Sequence, residues 1–247
     1  GELEVVECLL KHGADPNHYS DGSWSPIHTL ALEGHASIVE LLVRAGGDIN
    51  DNRGGKWESA ALIIASREGH VDVVDCLLSL GADTEAMDWT GKTALMWASE
   101  KGMIDVVDRL LAAGCNVHAQ DNNGSTALMR AADRGHVPII DRLVVHGADF
   151  HHQNKKGQNA LMMASRSNVE AVDRFLSLGC DVNVQDEDGM TALMWACSRG
   201  KIDIVRLLLD HGADPLLCNK DGKRAIDLVP ASSPEIQTLL NGLILLS

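Results

Sequence analysis

The 247-residue chain is expected to be all-α, an array of short helical pairs, and three observations predict it. Gly-small-Asp-like triplets begin at Gly13, Gly46, Gly81, Gly114, Gly147, Gly179 and Gly212, so successive copies lie 33, 35, 33, 33, 32 and 33 residues apart. A second anchor follows in each copy: SPIHTLALEGH at 25–35, AALIIASREGH at 60–70, TALMWASEKGM at 93–103, TALMRAADRGH at 126–136, NALMMASRSNV at 159–169 and TALMWACSRGK at 191–201. Thirdly, no segment sustains a period of two, and the connecting loops are rich in Asp, Asn, Lys and Gly, which argues against strand-based repeats. A period of this length marks units that bury their apolar faces only by stacking on neighbours.

Each element follows from its residues. Ser25, Thr93, Thr126, Asn159 and Thr191 are suited to cap a helix and stand just before apolar-periodic segments, while Pro26 occupies a first turn, where proline is harmless. Gly34, Gly69, Gly102, Gly135 and Gly200 close that first helix. A second apolar stripe follows, as in Val106, Val107, Leu110 and Leu111, which share one helical face. The triplet glycine ends this second helix. Asp/Asn-x-x-Gly stretches, such as Asp88 to Gly91, Asp121 to Gly124 and Asp186 to Gly189, then turn the chain toward the next anchor.

Two copies depart from the rule. The fifth full copy carries Asn168 where a closing glycine is expected and is one residue short before Gly179; residues 159–179 are therefore expected to be locally weak. The second copy lacks a capping hydroxyl at Ala60 and has a longer finger around Gly54, Gly55 and Lys56.

Anchors and triplets together resemble the TPLHxAAxxGHxxVVxxLLxxGADxN pattern of ankyrin repeats, over essentially the whole chain. The resemblance implies an all-α ankyrin-repeat solenoid of helix-turn-helix units with projecting β-turn fingers. It implies one domain over 1–247: a partial repeat at 1–24, six full repeats at 25–223 and a degenerate capping repeat at 224–247. Gly1 aligns with Gly34, so the chain opens midway through a repeat and reads as a fragment of a longer protein. Arg224, Ala225, Ile226 and Asp227 open the degenerate unit. A last helix from about Glu235, apolar at Ile236, Leu239, Leu240, Leu243 and Ile244, is expected to cap the stack. It is too short to span a bilayer, which takes about 20 apolar residues.

No signal-peptide pattern is visible, and a cytoplasmic or nuclear location is expected. Of the six cysteines, Cys8 and Cys76 fall in second-helix stripes, Cys115 and Cys180 replace the triplet alanine, and Cys197 takes a small first-helix position. They read as small core hydrophobes rather than a disulfide framework. The net charge of −14 argues against nucleic-acid binding. Glu7, Glu40, Asp75, Asp108, Asp141 and Asp173 form a column on the second helices that predicts an acidic ridge, broken by Arg206; its ordinary reading is a solvated face.

No catalytic motif, cofactor loop or metal-ligand spacing is present. His35, His70 and His136 follow the closing glycine, His28 takes the His of the family pattern, and His12, His146 and His211 end second helices, where the dipole favours a cation. The adjacent pair His151 and His152 lacks a Cys or carboxylate at ligand spacing. No enzyme activity, metal or cofactor is expected.

What the repeat does not require marks the candidate site. On the first helices an outward stripe runs Thr29, Ile64, Trp97, Arg130, Met163 and Trp195, followed by Arg67, Lys101, Arg134, Arg166 and Arg199. The resemblance places this stripe on a concave face that receives partners, and Trp and Arg are enriched among binding hot spots. Trp97 and Trp195 also admit a reading as packing between repeats, and the arginines as solvated charge. Trp24, Trp57, Trp89 and Tyr19 cluster in the first fingers. Exposed aromatics there suggest contact, although Trp24 also suits a staple before Ser25 and Trp57 a brace for the longer finger.

The expected function is a non-enzymatic protein-interaction scaffold or adaptor, monomeric, binding a peptide or protein. Two other readings stand: a regulatory or targeting array of a larger enzyme or channel, and recognition of a phosphorylated small ligand or oligonucleotide. The resemblance further suggests Asn50 and Asn183 as hydroxylation sites.

Overall fold

The period is realised as helix pairs in a computed structural model that describes residues 2–19, 24–53 and 59–244. The chain divides into two compact units, Gly1–Asn122 and Asn123–Ser247. In the first, α1 (Glu2–Lys11) is followed by the pairs α2 (Pro26–Glu33) and α3 (Ala36–Arg44), α4 (Ala61–Glu68) and α5 (Val71–Ser79), and α6 (Ala94–Lys101) and α7 (Ile104–Ala112). In the second, α8 (Ala127–Arg134) pairs with α9 (Val137–Val145), α10 (Ala160–Ala164) with α11 (Val169–Ser177), and α12 (Ala192–Ser198) with α13 (Ile202–Asp210). A short 3-10 helix, Ala225–Leu228, and α14 (Pro234–Ile244) complete that unit. Among the described residues the only β pairing is an isolated antiparallel bridge between Cys218 and Arg224.

Within each unit first helices stack on first helices and second helices on second helices: α2, α4 and α6 in the first unit, α8, α10 and α12 in the second. All seven triplet glycines adopt positive φ, between +81° and +96°, as a left-handed helix end requires. The caps work as predicted at four of five anchors. Thr93, Thr126, Asn159 and Thr191 accept a hydrogen bond from the backbone N–H three residues on, at 2.9–3.4 Å. Ile236 and Leu240 of α14 are buried against the preceding elements, as a cap should be, whereas Leu243 is exposed.

Ser25 behaves differently. Its hydroxyl and its backbone N–H both point at His28 Nδ1, 2.7 and 3.3 Å away, while His28 Nε2 donates to the Asp51 carbonyl at 2.9 Å. That pattern requires neutral imidazole with its proton on Nε2. Burial lowers the His28 pKa and outweighs the opposing pull of the Asp51 carbonyl. Below the ordinary value of 6.5 the unfolded chain therefore binds more protons than the folded one, so stability present above that pH is lost as pH falls. The melting temperature is expected to drop between about pH 7.5 and about pH 5.5, and the drop should be smaller in His28→Gln. Equal pH dependence in the two proteins would contradict this assignment.

The fingers share one turn. At Asp186 the backbone N–H bonds to the Met190 carbonyl (3.0 Å), the carbonyl accepts from Gly189 (2.9 Å), and Oδ1 accepts from the N–H groups of Asp188 and Met190 (3.0 and 2.8 Å). Asp88, Asn154 and Asn219 repeat this arrangement. Consecutive fingers are then tied by backbone bonds, Asn122 to Thr90 in the first unit and Lys155 to Asn123, Glu187 to Lys156 and Lys220 to Asp188 in the second. Gly157 shows why these turns need glycine: its φ is +72°, and a Cβ there would lie 2.8 Å from the Glu187 nitrogen.

Asn168 both costs and contributes. Without a closing glycine α10 stops after five residues. Yet Asn168 Oδ1 accepts from Ala171 N–H at 2.8 Å, a side-chain cap for α11 that His35, His70, Met103, His136 and Lys201 do not provide at the equivalent positions.

Three sequence expectations are corrected. The acidic column is not a bare ridge, because Lys11, Arg44, Arg109 and Arg174 pair with Glu7, Glu40, Asp75 and Asp141 at 2.9, 2.6, 3.3 and 2.5 Å. Ile64 and Met163 do not point outward: they are 2% and 9% exposed. Each lies on a first helix packed between two others of its own unit, where an apolar side chain gains by leaving water. Cys8 is exposed, as is Cys218, whereas Cys115, Cys180 and Cys197 are buried and their thiol pKa values are pushed up by burial to about 11, 12 and 12. All six cysteines are free thiols.

Candidate functional site

The two outward tryptophans are built into the same device, once in each unit. Trp97 Nε1 donates to Asp88 Oδ2 at 2.8 Å, and Trp195 Nε1 donates to Asp186 Oδ2 at 3.2 Å. In both fingers one carboxylate oxygen holds the turn and the other holds the indole of the following first helix. A cation covers each ring. Lys92 Nζ lies 4.0 Å and the Arg67 guanidinium carbon 5.8 Å from the Trp97 centroid, and the Arg166 guanidinium carbon 4.6 Å from that of Trp195. Such contacts are attractive because the ring face is the negative end of its quadrupole.

These cations are themselves anchored. Lys92 pairs with Glu100 at 2.6 Å, with only 12% and 13% of their side chains exposed; Arg67 pairs with Glu68 at 2.8 Å, and Arg166 lies 3.6 Å from Asp133. Both tryptophans are half-buried. They are thus positioned by the fold and still present ring surface.

The remaining candidates separate into groups. Lys101, Arg134 and Arg199 are exposed at the ends of first helices, Arg130 is half-buried on α8, and Met163 is buried and offers a partner nothing. Of the finger aromatics, Trp89 is 55% exposed, beside Met87 at 45%. Trp24 is half-buried and edge-on to His28, with centroids 6.0 Å apart. The Tyr19 hydroxyl donates to Asp51, and Arg53 lies over its ring at 4.5 Å. Burial, reinforced by the Asp51 carboxylate, pushes the Tyr19 phenol up to about 12. Tyr19 and Trp24 therefore hold the first fingers in place. Trp57 lies outside the described residues, as does the longer finger around Gly54, Gly55 and Lys56.

Asp88 and Asp186, read from the sequence only as turn residues, and Lys92, not read at all, complete the site. A signal was present, since Asp88 and Asp186 each stand nine residues before a tryptophan, whereas Met163, which has no N–H donor, stands nine after the neutral Asn154.

Arg67, Asp88, Trp89, Thr90, Lys92, Trp97 and Lys101 line a cleft of about 290 Å³ in the first unit. A neighbouring cleft of about 310 Å³ is lined by Asn52, Arg53, Met87, Asp88 and Trp89. No group of three or more metal-ligating side chains occurs among the described residues, and none of their helices is long and apolar enough to cross a membrane. His152 Nε2 donates to the Gly124 carbonyl at 2.8 Å, and His12, His146 and His211 donate through Nδ1 to the carbonyl four residues back, at 2.8, 2.8 and 2.9 Å. The Asn50 and Asn183 amides bridge repeats, accepting from Asp83 and Asp214 N–H at 2.8 Å each.

Stacked helix pairs joined by these fingers define an ankyrin-repeat domain, and the comparisons agree. The family described as Ankyrin repeats (3 copies) matches residues 1–88, 53–121, 95–186, 128–219 and 161–240. The chain belongs to the ankyrin-repeat family. It is similar to the crystal structure of the human ASB11 ankyrin repeat domain, with a TM-score of 0.78 and 26% identity over 88% of this chain and 96% of that one. It is also 51% identical over 39 residues to mouse ankyrin repeat and SOCS box protein 9; the match spans 16% of this chain and 13% of that protein. Ankyrin-repeat domains are in general protein–protein interaction modules.

Proposed function

We propose that this chain is a non-enzymatic scaffold or adaptor that holds a protein or peptide on its first helices and fingers, the face the family uses as its concave side. The observation that carries this reading is the recurrence of an indole held by a finger carboxylate under a cation, once in each unit, at positions the repeat itself leaves free. Trp97 and Trp195 are pre-ordered, so little side-chain freedom is lost on binding. Exposed Lys101 and Arg199 flank them with charge.

The test is affinity capture from a lysate with immobilised chain. A saturable partner should be retained by wild type and by Arg109→Ala, which alters only the ion pairs on the second helices. It should be lost from Trp97→Ala/Lys101→Ala combined with Trp195→Ala/Arg199→Ala, once circular dichroism shows that variant folded. Retention by the folded variant would remove the proposed face; absence of any saturable partner would remove the interaction reading.

A second reading has support in the relative whose name joins ankyrin repeats to a SOCS box: the array serves as the partner-recognising part of a larger protein. Cytoplasmic or nuclear location, a monomeric state and exclusion of nucleic acid belong to the same proposal.

A further inference from the structure

We infer that the finger surface of the first unit docks an extended acidic segment of a partner protein, seating an apolar side chain on Trp89 between carboxylates held by Arg53 and Lys101. This rests on the reading of the fingers and first helices as the partner-binding face, and adds the place and the chemistry. Asp88 and Trp89 line both clefts, with Arg67, Trp97 and Lys101 on one side and Arg53 and Met87 on the other. Trp89 stands 55% exposed beside Met87 at 45%, in a turn fixed by Asp88. Large apolar side chains held this open on a rigid turn mark contact surface.

Among the described residues the charged groups left over in the two clefts are cations, beside the neutral Asn52 amide. Asp88 has one oxygen on the turn N–H groups and the other on the Trp97 indole, and it is 6% exposed. Glu100 is occupied by Lys92 and Glu68 by Arg67. Asp51, 5% exposed, is covered by Tyr19 and Arg53. By contrast Lys101 is exposed with no ion pair or hydrogen bond among the described residues, and the Arg53 side chain, with Nε on Asp51 and its guanidinium over the Tyr19 ring, is still 66% exposed. A ligand rich in donors finds the Asn52 amide oxygen, whereas one carrying carboxylates finds two cations flanking an indole. On a chain of net charge −14, an acidic ligand would otherwise be repelled, so the local cations also select where it lands.

The experiment is selection of a random-peptide display library on the full chain, with binding of the enriched synthetic peptides measured by fluorescence polarisation. Enriched peptides should carry an apolar residue between acidic ones and should bind at least about tenfold more weakly to Trp89→Ala and to Lys101→Glu, while Lys101→Arg keeps affinity. Binding should weaken as salt is raised. Trp89 and Lys101 are exposed, so each variant should fold, which circular dichroism checks before binding is compared. Enrichment of neutral or basic peptides, or acidic peptides indifferent to Trp89→Ala, overturns this inference. If such peptides instead respond to Trp195→Ala, the interaction function stands and only this site falls. If no peptide is enriched and lysate capture also fails, both fall.

Discussion

Phe175→Ala is expected to destabilise the second unit by about 3–5 kcal/mol, the range for emptying a fully buried aromatic site. Phe175 is 0% exposed on α11, which packs against α9, α10 and α13. The equivalent position, four residues before each triplet glycine, is leucine at Leu42, Leu77, Leu110, Leu143 and Leu208, four of them also 0% exposed. The site therefore belongs to a column that the repeat fills with leucine, and Phe175→Leu should cost less than about 1.5 kcal/mol. Urea unfolding followed by circular dichroism measures both. A loss under about 1 kcal/mol for the alanine variant would mean that the cavity collapses, and that α11 is packed more loosely than described.

Asp186→Ala is expected to cost about 3 kcal/mol, because it leaves the N–H groups of Asp188 and Met190 and the Trp195 indole without their shared acceptor. Asp186→Asn separates the two roles. Asn154 and Asn219 hold the same turn in this chain, so the asparagine variant keeps the finger and loses only the indole bond, at a cost of about 1 kcal/mol. The tryptophan emission of Asp186→Asn should change while the amides of Asp188 and Met190 remain protected in hydrogen exchange. Equal losses for the two variants would show that the indole bond contributes nothing separate from the turn.

The architecture was legible because the repeat writes it several times. The glycines at Gly34, Gly69 and Gly102 mark helix ends observed at Glu33, Glu68 and Lys101, and Thr93, Thr126 and Thr191 cap the helices they were expected to cap. The site was legible only as a list of residues that the repeat does not need. Which of them face a partner depends on what the neighbouring repeat brings alongside, and no spacing within one repeat records that. Ile64 and Met163 share the register of Trp97 and Trp195 yet are buried, since neither side chain carries an N–H to be held outward by a finger residue. Of the acidic column's partners, Lys11 and Arg44 stand four residues on in the same helix and were open to reading, whereas Arg109 and Arg174 come from the following repeat. Lys92 passed as a loop lysine until the fold laid it on the Trp97 ring.

The central claim is that first helices and fingers, rather than the second helices, carry the function. Hydrogen–deuterium exchange on the chain with and without its captured partner tests it most directly. Exchange should slow in the fingers at Thr90 to Lys92 and Asp188 to Met190 and at the starts of α6 and α12, with α5, α7, α9, α11 and α13 unchanged. Protection confined to the second helices would contradict it.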